Sequence, residues 1–330
     1  MRILLVGPYP PRHCGIGAYV AAQATRLRDE GHDVVVLSPP DGHGDVRLPF
    51  IGGSAFRQAA RIAGRFDRIV VHFEPGLYFR PRTPVLHVIT AASLLWLVAR
   101  RPNVEILVHE ATAPPSRLRP DYRLLGLAFA RARLLFHTDA ERRALERDYG
   151  IRTNATLVPH TASVTVHAVL RRDEARARLD LGPERPVFVC AGFIHPDKGF
   201  DRAVRAFGIA GSPGRLYVVG SVRTPTTATL GYVDELRALC DQTSGVTMIE
   251  RYVSDAEFDE WITAGDAVVF PYRRAWSSGA LARAQRLGTP AFVADVGGLA
   301  EQAGPNDVVF DSEEGLARLL ARPVAPAAAP

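Results

Sequence analysis

The chain of 330 residues predicts an α/β protein with parallel β-sheets in two domains. Short uninterrupted apolar runs alternate with amphipathic stretches along most of its length, the pattern of strands buried on both faces and joined by helices. The first run passes through a turn rich in proline and glycine straight into a helix, as a βαβ unit does. The alternation relaxes once, after Pro159-His160-Thr161, and starts afresh at Pro186. The expected domains are residues 1–165 and 166–320, with a Pro/Ala-rich tail over 321–330 expected to be disordered.

The elements follow in order. Arg2 to Val6 is an apolar strand that ends in the rigid turn Gly7-Pro8-Tyr9-Pro10-Pro11. Cys14-Gly15-Ile16-Gly17 leads to a helix from Ala18 to Glu30, closed by Gly31-His32, and Asp33 to Leu37 is the second strand. Gly15 and Gly17 stand at a helix start, where bare backbone amides and the helix dipole attract an anion; the other reading is that they only make the turn. A nicotinamide site fits less well, because Val20 stands where the third glycine of GxGxxG would be and no acidic residue follows the second strand. Arg68 to Phe73, Glu105 to His109, Leu134 to His137 and Ala155 to Val158 read as further strands, with helices between them near 53–66, 86–100, 122–132 and 139–149. His72, His109 and His137 therefore lie at strand ends, where parallel sheets bind ligands, and His109 leads into the loop Glu110 to Pro115.

A basic-acidic helix, Arg172 to Leu181, and Gly182-Pro183 form the expected link. Strands at Pro186 to Ala191, Arg215 to Gly220, Val246 to Glu250, Ala267 to Tyr272 and Thr289 to Ala294 build the second domain. Its helices are 200–207, 231–243, one capped by Ser254 with Glu257 in capping-box style, and 280–287.

Composition narrows the function classes. Net charge is +5 and the pI about 9.4, but the excess is spread out and forms no nucleic-acid-binding arm. Anionic small ligands or an acidic membrane surface are the expected partners, and nucleic acid is not. Arg57, Arg61 and Arg65 recur at helical spacing, either as a solvated face or as a lipid contact. Cys14, Cys190 and Cys240 form no CxxC pair, so reduced thiols are expected and a zinc site is not. Met1 runs directly into a strand with no signal-peptide pattern, and the longest apolar run, Val85 to Ala99, is too short to span a bilayer. The expected location is the cytoplasm, with peripheral membrane contact left open.

One residue stands out. Of 40 basic residues, Lys198 alone is lysine and the other 39 are arginine. Its compact ammonium can act as a point charge against phosphate where a flat guanidinium fork fits differently. It lies between an apolar strand and an amphipathic helix, where a parallel sheet presents ligand-binding loops.

Taken together, these pieces resemble retaining glycosyltransferases of family 4. The matching segments are GIGAYV to EGHDVVVL, the strand-end LVHE, FHTDAERRAL, LVPH, AGFIHPDKGFDRAVRAF, LYVVG, and AGDAVVFPYR leading to SSGALARAQRLGTPAFVADVGGLAEQ, over roughly residues 1–310. The resemblance implies the GT-B architecture, two Rossmann-like doubly wound parallel-sheet domains facing across a cleft. It implies an acceptor-side N-terminal domain, a donor-side C-terminal domain, and a nucleotide-diphosphate sugar as co-substrate with no other cofactor. By position, Lys198 would contact the donor diphosphate, Gly15 and Gly17 would approach the same phosphates, and His109 would contact the transferred sugar. Arg251, Tyr252 and Val253 would flank the base. Ser277, Ser278 and Gly279 would offer hydroxyls and amides at a helix N-terminus. Acceptor-side loops would be 8–13, 74–82 and 112–122; the acceptor itself, a sugar, lipid or small molecule, is not implied. The absence of an Asp-x-Asp motif fits a site without metal.

The sequence also departs from the family. Its two glutamates, eight residues apart, are Ala275 and Arg283 here, and no carboxylate lies between Asp266 and Asp295. An arginine five residues before the lysine is Phe193. Either Arg283, or Arg273 with Arg274, reaches phosphate in an active transferase, or the chain is a non-catalytic partner subunit or sugar-nucleotide binder. A sugar-nucleotide epimerase is a third reading, for which acid/base carboxylates are scarce.

Overall fold

The computed structural model describes residues 1–321 except 13, 102, 117, 183–185 and 212–213. His13 and Arg117 of the acceptor-side loops, Pro183 of the link, and the tail from 322 onward lie outside the described residues. The chain forms two compact units, Met1–Val164 and Thr165–Pro330.

The first unit runs β1 (Arg2–Val6), α1 (Gly15–Asp29), β2 (Asp33–Ser38), β3 (Val46–Arg47), α2 (Ser54–Ile62), β4 (Arg68–Phe73), α3 (Pro75–Tyr78), α4 (Pro84–Arg100), β5 (Val104–Val108), α5 (Pro120–Arg131), β6 (Arg133–Phe136), α6 (Asp139–Tyr149) and β7 (Asn154–Leu157). Among the described residues its sheet has seven strands in the order β3-β2-β1-β4-β5-β6-β7, all parallel. The central strands are mainly apolar because helices cover both faces; β5 is buried at all five positions, Glu105 among them. Tyr19, Val20, Ala24 and Leu27 of α1 form the stripe that packs on Ile3, Leu5, Val36 and Val70.

The second unit runs α7 (Arg172–Arg178), β8 (Val187–Ala191), α8 (Phe200–Ala210), β9 (Arg215–Gly220), α9 (Thr227–Gln242), β10 (Val246–Glu250), α10 (Asp255–Ala264), β11 (Ala267–Phe270), α11 (Gly279–Leu287), β12 (Ala291–Ala294), α12 (Leu299–Gln302), β13 (Val308–Phe310) and α13 (Glu313–Leu320). Among the described residues its sheet has six parallel strands in the order β10-β9-β8-β11-β12-β13. The strand order reverses between β1 and β4 in one unit and between β8 and β11 in the other. At such a reversal the loops leaving the two central strands diverge to opposite faces and leave a crevice at their carboxyl ends.

Several elements differ from the sequence-based expectation. α1 begins at Gly15, so both glycines sit in its first turn rather than ahead of it. β11 stops at Phe270, because Pro271 cannot donate to the ladder. α9 starts earlier, at Thr227, where the Thr226 hydroxyl accepts from the Thr229 amide. The segment read as a link is docked on the second unit: Arg176, buried, and Arg172 hold Asp266 at 2.6 and 3.1 Å, and Asp266 also accepts from the Val187 amide at 2.8 Å. The short strands β3 and β13 lack the long apolar runs that periodicity detects, whereas α13 carries Leu316, Ala317 and Leu320 at helical spacing behind the Ser312 cap.

Candidate active site

Lys198 ends a single 3-10 turn, Pro196–Lys198, on the loop that leaves β8 at the reversal of the second sheet. Gly199 follows at φ +60°, and a Cβ built there would come within 2.3 Å of the Pro271 carbonyl oxygen. Only glycine lets the turn lie so close to the end of β11. Phe200, fully buried, then anchors α8. From the other side Arg273 clamps the same turn. Its amide donates to the Asp197 carbonyl at 2.8 Å, and its guanidinium reaches the Pro196 carbonyl and makes a two-pronged pair with Asp201 at 2.7 and 2.6 Å. Asp201 is nearly buried and also accepts from Tyr232 at 2.9 Å. Burial pushes its carboxyl up, but the hydrogen bonds from Arg273 and Tyr232 outweigh that and hold it at about 2.

The turn delivers the Lys198 ammonium onto the face of the buried Tyr272 ring, 3.8 Å from its centroid. A ring face attracts a cation but leaves its N–H donors free for an anion. No carboxylate pairs with Lys198 among the described residues. The Tyr272 hydroxyl lies 3.3 Å from the Ser278 hydroxyl, which caps α11 by accepting from the Leu281 amide. Lys198 and the positive end of α11 thus share one tyrosine.

The other second-unit candidates divide. The Ser278 amide and carbonyl both pair with the Gln302 side chain, at 2.7 and 2.8 Å, so Ser278 serves the fold. Ser277 is half-buried beside it, and Gly279 is exposed at the first helical position, whose amide an α-helix leaves without an internal acceptor. Gly297, at φ +57°, lets its loop close on Ala275, whose oxygen would lie 1.9 Å from an added Cβ. Arg251 is bound by Glu257, while Tyr252 is half exposed and Val253 packs against the Trp261 cluster.

The expectation that Arg273 or Arg283 reaches phosphate is corrected. Arg273 is the clamp just described. Arg283 pairs with the fully buried Asp259, bonds the Asp255 carboxylate at 2.9 Å and its carbonyl at 2.6 Å, and lies over Phe258. Asp259 also accepts from the His167 and Ala168 amides. Arg283 is therefore a neutralised structural cation. Arg274 is exposed.

In the first unit Gly15 is exposed with open space where a Cβ would lie, and Gly17 is buried at ordinary contact distance from Cys14. Neither needs to be glycine for packing. The histidines converge further than the sequence reading expected. His72, His109, His137 and a fourth, His160, surround Tyr19 of α1 with ring centroids 5.3 to 5.8 Å away, all edge-on. His160 follows β7 within the segment LVPH; its chain position alone carries no sign that it joins strand ends far away in sequence. Burial first, then mutual repulsion, depresses their basicity. His72 and His160 fall to about 3, His137 to about 4 by burial, and His109 well below its ordinary value. They are neutral near pH 7.

Neutral rings fix one another's protons. His72 Nε2 lies 2.9 Å from Gln23 Oε1, an acceptor, so His72 carries its hydrogen there. His72 Nδ1 is then a lone pair, and it lies 3.0 Å from His109 Nε2, which must donate. His109 is left with an acceptor at Nδ1, which has no partner among the described residues and is not sealed from solvent. Gln23 gave no sign of this in sequence, since its role depends on α1 crossing the end of β4. Among the described residues no group of three or more His, Cys, Asp or Glu is arranged to hold a metal ion.

Residues 185–324 match the family model described as Glycosyl transferases group 1. Over 293 residues the chain is 29% identical to the D-inositol 3-phosphate glycosyltransferase of Jonesia denitrificans, covering 80% of this chain and 65% of that protein. The chain thus spans less than two thirds of that relative's length. Among solved structures it is similar to Anabaena Alr3699/HepE, determined in complex with UDP and with UDP-glucose, at TM-score 0.70 and 18% identity; for the UDP complex 97% of this chain and 89% of that chain are covered. It is similar also to sucrose-phosphate synthase from Thermosynechococcus elongatus, at TM-score 0.68 and 18% identity over 96% and 88% of the two chains. At this identity the likeness establishes the fold, which is GT-B.

Proposed function

We propose that the chain is a glycosyltransferase that moves a sugar from a nucleotide-diphosphate donor to an acceptor hydroxyl with retention and without a metal ion. The observation that carries this reading is the Lys198 ammonium, held over Tyr272 by a turn that Gly199 and the Arg273–Asp201 pair pin in place. As the bond from the anomeric carbon to the phosphate oxygen opens, both electrons stay on that oxygen; the acceptor hydroxyl oxygen bonds to the anomeric carbon on the same face and gives its proton to the departing phosphate oxygen. Lys198 neutralises that departing charge from a position that needs no rearrangement during the step. The first-turn amides of α11 add to it. Tyr252 offers a ring face for the base. His109 is the contact for the transferred sugar, accepting a hydroxyl hydrogen at Nδ1. The likeness to a protein solved with UDP-glucose supports a uridine nucleotide as the first donor to try.

The test is a thermal-shift screen of the full chain against UDP-, GDP-, ADP- and TDP-sugars, followed by release of nucleoside diphosphate. A donor should raise the melting temperature because it binds only the folded state. Lys198→Ala should lower turnover by roughly 10²–10³, the usual consequence of removing one preorganised charge-stabilising donor. EDTA should leave turnover unchanged. No binding and no release with any donor would overturn the reading. A second reading, a sugar-nucleotide binder without turnover, is favoured by Ala275 and by Arg283 locked to Asp255 and Asp259. Binding with no release from any donor would select it.

A further inference from the structure

Helix α4 of the first unit buries Ala91, Leu94, Leu97 and Val98 and leaves a second set of apolar side chains outside. Its Thr90 and Ser93 point inward and are buried, whereas Val85, Leu86 and Ile89 are 70%, 38% and 39% exposed. The inward hydroxyls have structural work. Thr90 Oγ1 accepts from the Gly52 amide at 2.9 Å, and Ser93 Oγ donates to the Ile89 carbonyl at 2.7 Å and accepts from Arg57 at 3.2 Å. Arg57 is thereby turned toward the protein and does not join Arg61 and Arg65 on the surface, as their shared spacing suggested.

The charges around this face have one sign. From Pro75 to Val104 there is no Asp or Glu, and Arg80 and Arg82 precede the helix while Arg100 ends it. All three are exposed, as are Arg61 and Arg65 on the α2 side, and none has a carboxylate partner among the described residues. The arginines of α6, by contrast, are ion-paired. At the far end the Arg100 guanidinium lies over the Trp96 ring, 5.0 Å from its centroid. An apolar stripe with cations at both ends and an indole near one of them suits the boundary between lipid headgroups and acyl chains.

The helix has 17 residues, about 25 Å at the usual rise, which is shorter than a hydrocarbon core of about 30 Å. No described helix is long and apolar enough to cross a membrane. We propose that this face docks the protein flat on an anionic lipid bilayer, with Val85, Leu86 and Ile89 entering the interface and the flanking arginines on lipid phosphates. A second copy of the chain is disfavoured by charge, because a twofold contact through α4 sets arginines against arginines in either direction. The proposal stands apart from the glycosyl-transfer reading and does not need a donor.

The experiment is co-sedimentation of the full chain with phosphatidylcholine vesicles, with and without phosphatidylglycerol, at low and high salt. Wild type should bind only the anionic vesicles, less so at high salt. Arg80→Gln with Arg82→Gln should weaken partition roughly thirtyfold, at about fivefold per arginine near an anionic surface. Val85→Ser with Leu86→Ser and Ile89→Ser should abolish it, with an unchanged circular dichroism melt showing that the fold is intact. The proposal is overturned if wild type stays in the supernatant, or if the triple variant binds as wild type does. It is also overturned if light scattering shows a dimer that the triple variant disrupts and vesicles do not compete.

Discussion

Acidification should loosen the first unit before the second. A histidine whose basicity is depressed in the folded state stabilises the fold only while unprotonated. That contribution is complete above its unfolded value, near 6.5, and is lost as pH falls toward the folded value. For His72 and His160 at about 3 and His137 at about 4, the loss at pH 5 is about 2 kcal/mol each, or about 6 kcal/mol together. His109 adds in the same direction. Glu141 works against them. It is fully buried, and burial first, then the Glu110 charge, raises its carboxyl to about 8. A raised carboxyl contributes stability at low pH that is lost as pH climbs from about 4.5 to about 8, so moving from pH 7.5 to 5 returns about 3 kcal/mol. The net loss is about 3 kcal/mol, a large fraction of a domain's usual 5–15 kcal/mol. Asp201, held at about 2, does not titrate in this window. The assay is hydrogen exchange of the β5 and β6 amides at pH 7.5 and 5, corrected for intrinsic rates, because those strands open only with the unit. His160→Gln should remove about 2 kcal/mol of the difference between the two pH values. Equal protection at both pH values, or an undiminished difference in His160→Gln, would refute the reasoning.

Three other outcomes are expected. Arg283→Glu should destabilise the second unit by at least about 3–5 kcal/mol in urea melts, because the buried Asp259 loses its counter-ion; a stable variant with tighter donor binding would contradict this. Gly199→Ala should cost more than the roughly 1–2 kcal/mol of a left-handed residue, since its Cβ also meets the Pro271 oxygen at 2.3 Å, and denaturant midpoints read the loss. Gln23→Leu frees the His72 proton to choose either nitrogen, so nitrogen-15 spectra that place the His109 hydrogen on Nε2 in wild type should show mixed tautomers in the variant; identical spectra would count against the relay.

The fold was legible because its signals are local. Apolar runs such as RILLV and VFVCA mark buried parallel strands, and a strand followed by glycine and a helix marks each βα turn. The lone lysine was legible for the same reason, since the strand before it and the helix after it are both contiguous with it. β3 was not, because two residues carry no period. The arginines were misread because all of them look alike in one dimension. Arg273, Arg274 and Arg283 lie within one short stretch, yet the first holds Asp201, 72 residues away, and the third holds Asp259, 24 residues away. The acidic partners lie outside the carboxylate-free stretch from 267 to 294.

By itself the sequence determined which segments become most of the strands and helices, and that one ammonium sits on a loop at the carboxyl end of a strand. Periodicity, capping and the φ demanded of a glycine are properties of a few adjacent residues, so they are written in order along the chain. Only the tertiary structure decided which charges are free and which are neutralised, and that four histidines from the ends of four strands share one tyrosine. Those outcomes depend on which strands lie side by side, and a hydrogen bond of 3 Å between residues 37 apart is set by the sheet, not by their separation in sequence.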